Sequence, residues 1–226
     1  MDADDPVARL LREVVAGHPP PEDGRVTVLP QPPGPVAGVL AFCGHHVVAA
    51  DVDPAWVRDR LPDGDLSAPV NATFLDALAR RLGRDYDNLD MVLVAPHAPG
   101  PPPLGLEPVA PDGAHERVDR SLRFRREVRT WATPDGDGLL ILARGLADRW
   151  EAAFEVAPDG RGRGLGRRLA AAARHLVPAG EPVFVQIAPG NVASLRAVLA
   201  AGGYVPIGAE VMFARPRPPS SPNSGE

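Results

Sequence analysis

Apolar positions along this chain repeat with two periods, and the switches between them mark the elements. Val7, Leu10, Leu11, Val14 and Val15 stand at i, i+3, i+4, i+7 and i+8. That stripe predicts an amphipathic helix, which His18-Pro19-Pro20-Pro21 stops. Short β-rich runs follow at Arg25 to Leu29, Val39 to Phe42 and His46 to Ala50, the last two joined through Cys43-Gly44-His45. Asp53-Pro54 is a helix start, with Asp as cap and Pro in the first turn. Asn71 caps a longer helix, with Phe74, Leu75, Leu78 and Leu82 on one face and Gly83 at its end. Met91 to Ala95 predicts a strand, and the Pro/Gly run from Pro96 to Pro103 stops it.

The second half begins with an expected strand at Leu104 to Val109. Val118, Leu122 and Val128 then mark a helix crowded with charge, drawn from Glu116 to Val128. Strands are expected at Arg129 to Ala132, Leu139 to Arg144 and Arg149 to Val156. Leu165, Leu169 and Leu176, with Ala172 and Ala173 between, recur at helical spacing. Val183 to Ala188 reads as a strand, Leu195, Val198 and Leu199 as the stripe of a helix, and Tyr204 to Phe213 as a closing strand. The Pro-rich run divides this order into an α/β region at 1–95, a linker at 96–103 and a second domain at 104–214. A Pro/Ser-rich tail at 215–226 is expected to be disordered. No family motif stands in the first hundred residues, which read as an accessory region or as a degenerate copy of the second domain.

Composition narrows the function classes. Hydrophobic residues make up 44% of the 226, enough for a core. The net charge of −5 argues against general nucleic-acid binding. No apolar run is long enough to span a bilayer, and the acidic N-terminus has no signal-peptide pattern. One cysteine, Cys43, cannot form an internal disulfide, in keeping with a reducing cytoplasm. Every basic residue is Arg, which with abundant Pro and Ala reads as the coding bias of a GC-rich genome. His45-His46 beside Cys43 lacks a second ligand pair at metal-binding spacing, so it reads as a hairpin turn and no metal is expected.

The most informative stretch is Val156-Ala157-Pro158-Asp159-Gly160-Arg161-Gly162-Arg163-Gly164-Leu165-Gly166-Arg167. It reads as a strand end, a tight loop and a glycine-rich entry into a helix. Glycines there let backbone N–H groups approach a ligand closely. Those N–H groups have no partner inside the helix, and the dipole makes that end positive, which suits a phosphate or pyrophosphate. A P-loop would need Gly-Lys-Ser/Thr, and the chain contains no Lys. A dinucleotide fingerprint would need a different glycine spacing and more chain after it.

Arg161 to Gly166 matches Arg/Gln-x-x-Gly-x-Gly/Ala, the acyl-CoA pyrophosphate loop, at every defined position. A Val-x-Pro strand end precedes it. A strand, an Asn-x-x-Ser helix at Asn191 and Ser194, Gly203-Tyr204 and a last strand follow it. In that order the segments resemble the GNAT N-acetyltransferase superfamily, here of an actinobacterial type, over about Leu104 to Phe213. The resemblance implies an α/β (α+β) GNAT acyl-CoA N-acyltransferase fold, a mixed twisted sheet with flanking helices. It implies direct transfer of acetyl from acetyl-CoA to a primary amine of a small molecule or protein, in a cytoplasmic monomer or homodimer with no nucleic-acid or membrane partner.

By the same resemblance, the backbone at Glu155, Val156 and Ala157 pairs with the pantetheine arm, and the Val156 N–H is the oxyanion donor. Arg161, Gly162, Arg163, Gly164, Leu165 and Gly166 hold the pyrophosphate, with Arg167 adding charge. Asn191 bonds the pantetheine, and Ser194 lies one turn later. Period-two alternation places Glu151 and Glu155 on one sheet face, and Glu151 stands where some GNATs carry a glutamate base. One departure stands out. Val198 occupies the position where many members place the Tyr that protonates the leaving thiolate, while Tyr204 reads as packing. The alternative is therefore a non-catalytic acyl-CoA-binding or regulatory module.

Overall fold

The computed structural model describes residues 1, 4–112 and 115–216. The tail expected at 215–226 lies, from residue 217 onward, outside the described residues. The class is mixed α/β. Ten strands form one sheet: β1 (Val26–Leu29), β2 (Ala37–Phe42), β3 (His45–Ala49), β4 (Asp85–Ala95), β5 (Glu107–Val109), β6 (Arg126–Ala132), β7 (Gly138–Arg144), β8 (Trp150–Val156), β9 (Val183–Ile187) and β10 (Val205–Ala214). Their order across the sheet is β1-β3-β2-β10-β4-β9-β8-β7-β6-β5. The β1–β3 and β8–β9 pairs are parallel and the rest antiparallel.

Six helices cover the two faces, and strand alternation decides which residues meet them. Val92 and Val94 of β4 join α1 (Pro6–Val15) and Phe124 of α4 (Glu116–Phe124) in one apolar cluster. Leu93 and Ala95 point the other way, into a cluster with α5 (Leu165–Leu176) and α6 (Val192–Ala201). On that second face α2 (Pro54–Arg58) and α3 (Ala72–Leu82) cover β2 and β10. The helix starts follow the capping residues. Asp5 accepts from the N–H groups of Val7 and Ala8, Asp53 from Ala55, and Asn71 from Phe74. None of these helices is long and apolar enough to cross a membrane, among the described residues.

Three expectations are corrected. The charged helix stops at Phe124, and Val128 belongs to β6, because Arg125 is already extended and Arg126 pairs with Arg144 of β7. The strand expected from Leu104 is only Glu107–Val109. The strand expected at Met91 to Ala95 begins six residues earlier, at Asp85.

That longer β4 also overrides the expected division of the chain. It lies between β9, paired through Met91↔Ile187 to Ala95↔Val183, and β10, paired through Val205↔Val94 to Ala214↔Asp85. One sheet runs through both sides of the Pro-rich run, so 1–95 and 104–214 are not separate units.

β10 keeps its pairing with β4 through an irregularity between Pro206 and Gly208, after which Glu210 faces Asp90. Gly208 has φ +155°, and a Cβ there would lie 2.3 Å from the Ala41 carbonyl oxygen on β2. Backbone cannot yield as a side-chain tip can. Gly208→Ala is therefore expected to cost about 2 kcal/mol, measured by urea unfolding. A loss under about 0.5 kcal/mol would show that β2 and β10 can part there freely.

Candidate functional site

The site begins where two parallel strands separate. β8 and β9 pair only at Trp150↔Val183 and Glu151↔Phe184. Beyond that point β9 stays with β4, while β8 stays with β7 up to Gly138↔Val156. A wedge opens between them. The Gly145 N–H donates to Arg149 and the Ala157 N–H to Asp137, so odd-numbered residues of β8 bond toward β7. By alternation the N–H and C=O groups of Ala152, Phe154 and Val156 face the wedge. The Val156 carbonyl there accepts from Arg161 Nε at 3.2 Å. Glu155 and Ala157 turn their N–H groups to β7 and its turn. Of the residues expected to pair there, Glu155, Val156 and Ala157, only Val156 turns its backbone groups to the wedge, beside Ala152 and Phe154.

The strand leads directly into the glycine loop. Gly162 and Gly164 have φ near +76° and +74°, the left-handed region open to glycine. Gly164 caps α5 without a side-chain hydrogen bond, so the first N–H groups of the helix, at Leu165, Gly166 and Arg167, are left to another partner. Leu165 and Leu169 anchor the helix in the core. Gly166 faces Ala197 of α6, where an added Cβ would make ordinary contact at 3.6 Å. Arg161, Arg163, Arg167 and Arg168 are exposed and make no ion pair among the described residues. Asn191 caps α6, its Oδ1 accepting the Ser194 N–H at 3.1 Å. That leaves the Asn191 amide N–H groups for a ligand.

A cleft of about 340 Å³ fills the wedge. Its walls are Ala152 to Glu155 on β8, Val185 to Ala188 with Asn191 and Ser194, and α4 from Glu116 to Phe124 followed by Arg125. Asn88, Asp90 and Met212 form the far side. The structure thus brings Glu155, Asn191 and Ser194 to one cleft. It sets the glycine loop at the mouth end of β8. Glu151, expected as the base, lies beneath and does not line the cleft.

Glu151 is fully buried, as is Arg149, whose Nε donates to it at 2.8 Å; Arg125 Nε donates to it at 2.6 Å. Burial alone would raise the Glu151 carboxyl, but the Arg149 and Arg125 charges outweigh it and hold the carboxyl well below its ordinary range. A carboxylate clamped by two guanidiniums is a weak base, and Glu151 does not line the cleft, so it does not fit the role of base expected for it. Arg149 also donates to Glu210 and stacks over Phe184, 4.9 Å from the ring centroid. Gln186 links the groups, accepting from Arg125 at 2.7 Å and donating to Glu210 at 2.9 Å.

Asp90 was missed by the sequence reading. It is 8% exposed, lines the cleft, and its Oδ1 has no hydrogen-bond partner. Burial, helped by the Glu210 and Asp87 carboxylates, lifts its carboxyl to about 6, against the opposing pull of Arg120 and Arg125. The missed signal was an Asp one alternation before Val92 and Val94, on the same strand face.

Val198 is fully buried and offers no proton. Tyr204 packs, its hydroxyl donating to the Ala170 carbonyl at 2.9 Å, and burial raises its phenol above the ordinary value. His45 sits in the β2–β3 hairpin, bonded to Asp23 and Thr27. No group of three or more His, Cys, Asp or Glu could hold a metal among the described residues.

No protein-family model and no curated protein matches this chain. Among solved structures it is similar to a GNAT-family acetyltransferase from Colwellia psychrerythraea, at 14% identity and TM-score 0.40, over 63% of this chain and 62% of that one. It is similar to a GNAT-family protein from Novosphingobium aromaticivorans at 18% identity and TM-score 0.39, over 58% and 66%. A third is a GCN5-related N-acetyltransferase from Sphaerobacter thermophilus, at 16% identity and TM-score 0.38, over 64% and 56%. The chain thus spans between 56% and 66% of the length of these structures.

The buried charges under the cleft make a stability prediction. Arg149→Leu removes the guanidinium from two buried carboxylates, Glu151 and Glu210. The expected loss is about 3–5 kcal/mol in urea unfolding at neutral pH. A loss below about 1 kcal/mol would mean that the two carboxylates find other compensation.

Proposed function

We propose that the protein is a GNAT-type N-acetyltransferase that moves an acetyl group from acetyl-CoA directly to a primary amine. The observation that carries this reading is the wedge: a strand edge freed from its neighbour, running straight into a glycine-capped helix start. An extended, amide-bearing arm ending in a pyrophosphate fits that continuity. Phe154 offers its backbone N–H and C=O for the pantetheine amides, as an added strand would. The first turn of α5, with Arg161, Arg163 and Arg167 near it, offers N–H groups, dipole and charge to the pyrophosphate. The Asn191 amide and Ser194 stand across the wedge.

Chemistry in this reading needs an amine nitrogen held against the thioester carbon and a donor for the oxygen that becomes negative. The Val156 N–H, turned into the wedge, is the donor assigned. With Val198 apolar and Tyr204 committed to Ala170, the leaving thiolate takes its proton from solvent or from the attacking amine. The same Val198 favours the second reading, a non-catalytic acyl-CoA-binding module, which turnover of any amine would exclude.

Calorimetric titration of acetyl-CoA into the wild type and Gly164→Glu tests the reading. Space around Gly164 is open, the nearest side-chain atom to an added Cβ being Arg167 Nη2 at 3.9 Å. The variant places a negative charge at the helix start without a clash, at a cost of about 1 kcal/mol for a side chain at this left-handed φ, and a melting curve checks its fold. Wild-type binding weakened about tenfold or more in the variant is expected, a change of about 1.4 kcal/mol. Absence of binding to the wild type would remove both readings.

A further inference from the structure

We propose that the cleft beneath α4 takes a cationic amine acceptor, one without a carboxylate, and that Asp90 receives the acceptor's ammonium group and accepts its proton. This rests on the transferase reading above and adds the acceptor's chemical class.

The charges around the cleft are already paired, with two exceptions. Arg117 holds Glu155 at 2.8 Å, Arg120 holds Asp87, and Arg125 holds Glu151 at 2.6 Å. Arg149, beneath, holds Glu151 and Glu210. Asp90 and Glu116 line the cleft and make no ion pair among the described residues. Three arginines thus give the wall a cationic look in sequence, yet the unbalanced charge is negative. A carboxylate or phosphate entering here would meet no free guanidinium. An ammonium ion meets two free carboxylates.

Asp90 is the built part of this arrangement. It is more than nine-tenths buried, so its desolvation is met by folding and not by binding. Its Oδ1 is buried and has no hydrogen-bond partner among the described residues, an acceptor the fold leaves unsatisfied. The groups facing it are Glu210 from β10, Asp87 on its own strand, and Arg120 and Arg125 from α4 and the residue after it. With its carboxyl near 6, Asp90 is ionised at pH 7 by about ten to one. It is still basic enough to relay a proton.

The step balances as follows. R–NH3+ gives one proton to the Asp90 carboxylate and becomes R–NH2. The nitrogen lone pair forms the C–N bond to the thioester carbon, and the C–S pair leaves with sulfur. The nitrogen loses its second proton and the thiolate gains one, giving the amide and CoA–SH. Asp90 then returns its proton to solvent.

The test uses the full chain with two probes of equal length, 1,4-diaminobutane and 4-aminobutanoate, which differ by a terminal ammonium or carboxylate. The expected result is at least about tenfold higher kcat/KM for the diamine. The wild-type profile should fall as pH drops through about 6, since protonated Asp90 can neither hold an ammonium nor accept from it. Asp90→Asn, which keeps the side chain's shape, should lower kcat about a hundredfold or more and remove that acid limb. Its acetyl-CoA affinity should stay within about twofold in calorimetry. Wild-type rate and profile in Asp90→Asn, or preference for 4-aminobutanoate, would overturn the proposal, and the wild-type profile serves even if the variant misfolds. A parallel titration of 1,4-diaminobutane without acetyl-CoA separates the two ideas. Asp90-dependent diamine binding with no acetyl-CoA binding would sink the transferase reading and keep the amine site. Acetyl-CoA binding without diamine binding or turnover would do the reverse.

Discussion

The structure depends on one set of backbone hydrogen bonds, the ladders that hold β4 between β9 and β10. β9 keeps its ladder with β4 through Ile187, while β8 parts from β9 after Phe184 and stays with β7. The wedge is the space between these two diverging ladders. It is not a gap left by missing side chains. A buried strand must satisfy its N–H and C=O groups, and β4 does so for both neighbours. The half of β8 that β9 abandons keeps a free edge, and the cleft is that edge.

The charges under the cleft follow from the same topology. Glu151, Gln186, Glu210 and Asp90 come from four strands and share one sheet face with Arg149, the residue before β8. A buried ion network costs more in desolvation than an apolar core of the same shape would. This one is also incompletely satisfied, since Arg149 Nη1, Glu210 Oε2 and Asp90 Oδ1 have no partner. Apolar side chains would stabilise the fold more. The network instead fixes Arg125 at the floor of the cleft and leaves the Asp90 carboxylate beside it without an ion-pair partner among the described residues.

Much of the fold could be read locally. Caps at Asp53, Asn71 and Asn191, period-two runs and the glycine loop all act within a few residues, so the sequence displays them. What escaped was non-local. Asp85-Tyr86-Asp87-Asn88-Leu89-Asp90 has the composition of a loop, and it is a strand because β10 pairs along it. The Pro-rich run that follows looked like a boundary because proline stops strands, but stopping a strand does not end a sheet. Glu151 was misjudged for a similar reason. Alternation placed its side chain on the correct face, but nothing near it in sequence announced Arg125, Gln186 and Glu210 arriving from elsewhere. The CoA-type loop was legible because its chemistry is backbone chemistry. The acceptor side was not, because it is assembled across the sheet.

The position of β10 bears on how the chain can reach this state. It is the strand that joins β1-β3-β2 to β4-β9-β8-β7-β6-β5, yet it comes last of all ten in sequence. Until residues 205–214 are in place, two part-sheets exist, with β2 and β4 as open edges. Their most apolar runs, Ala37 to Phe42 and Met91 to Ala95, would lie along those edges, ready to pair with another molecule. Joining strands this far apart in sequence is slow. A chain wired in this order keeps both edges open until its last strand is placed, whatever its final stability.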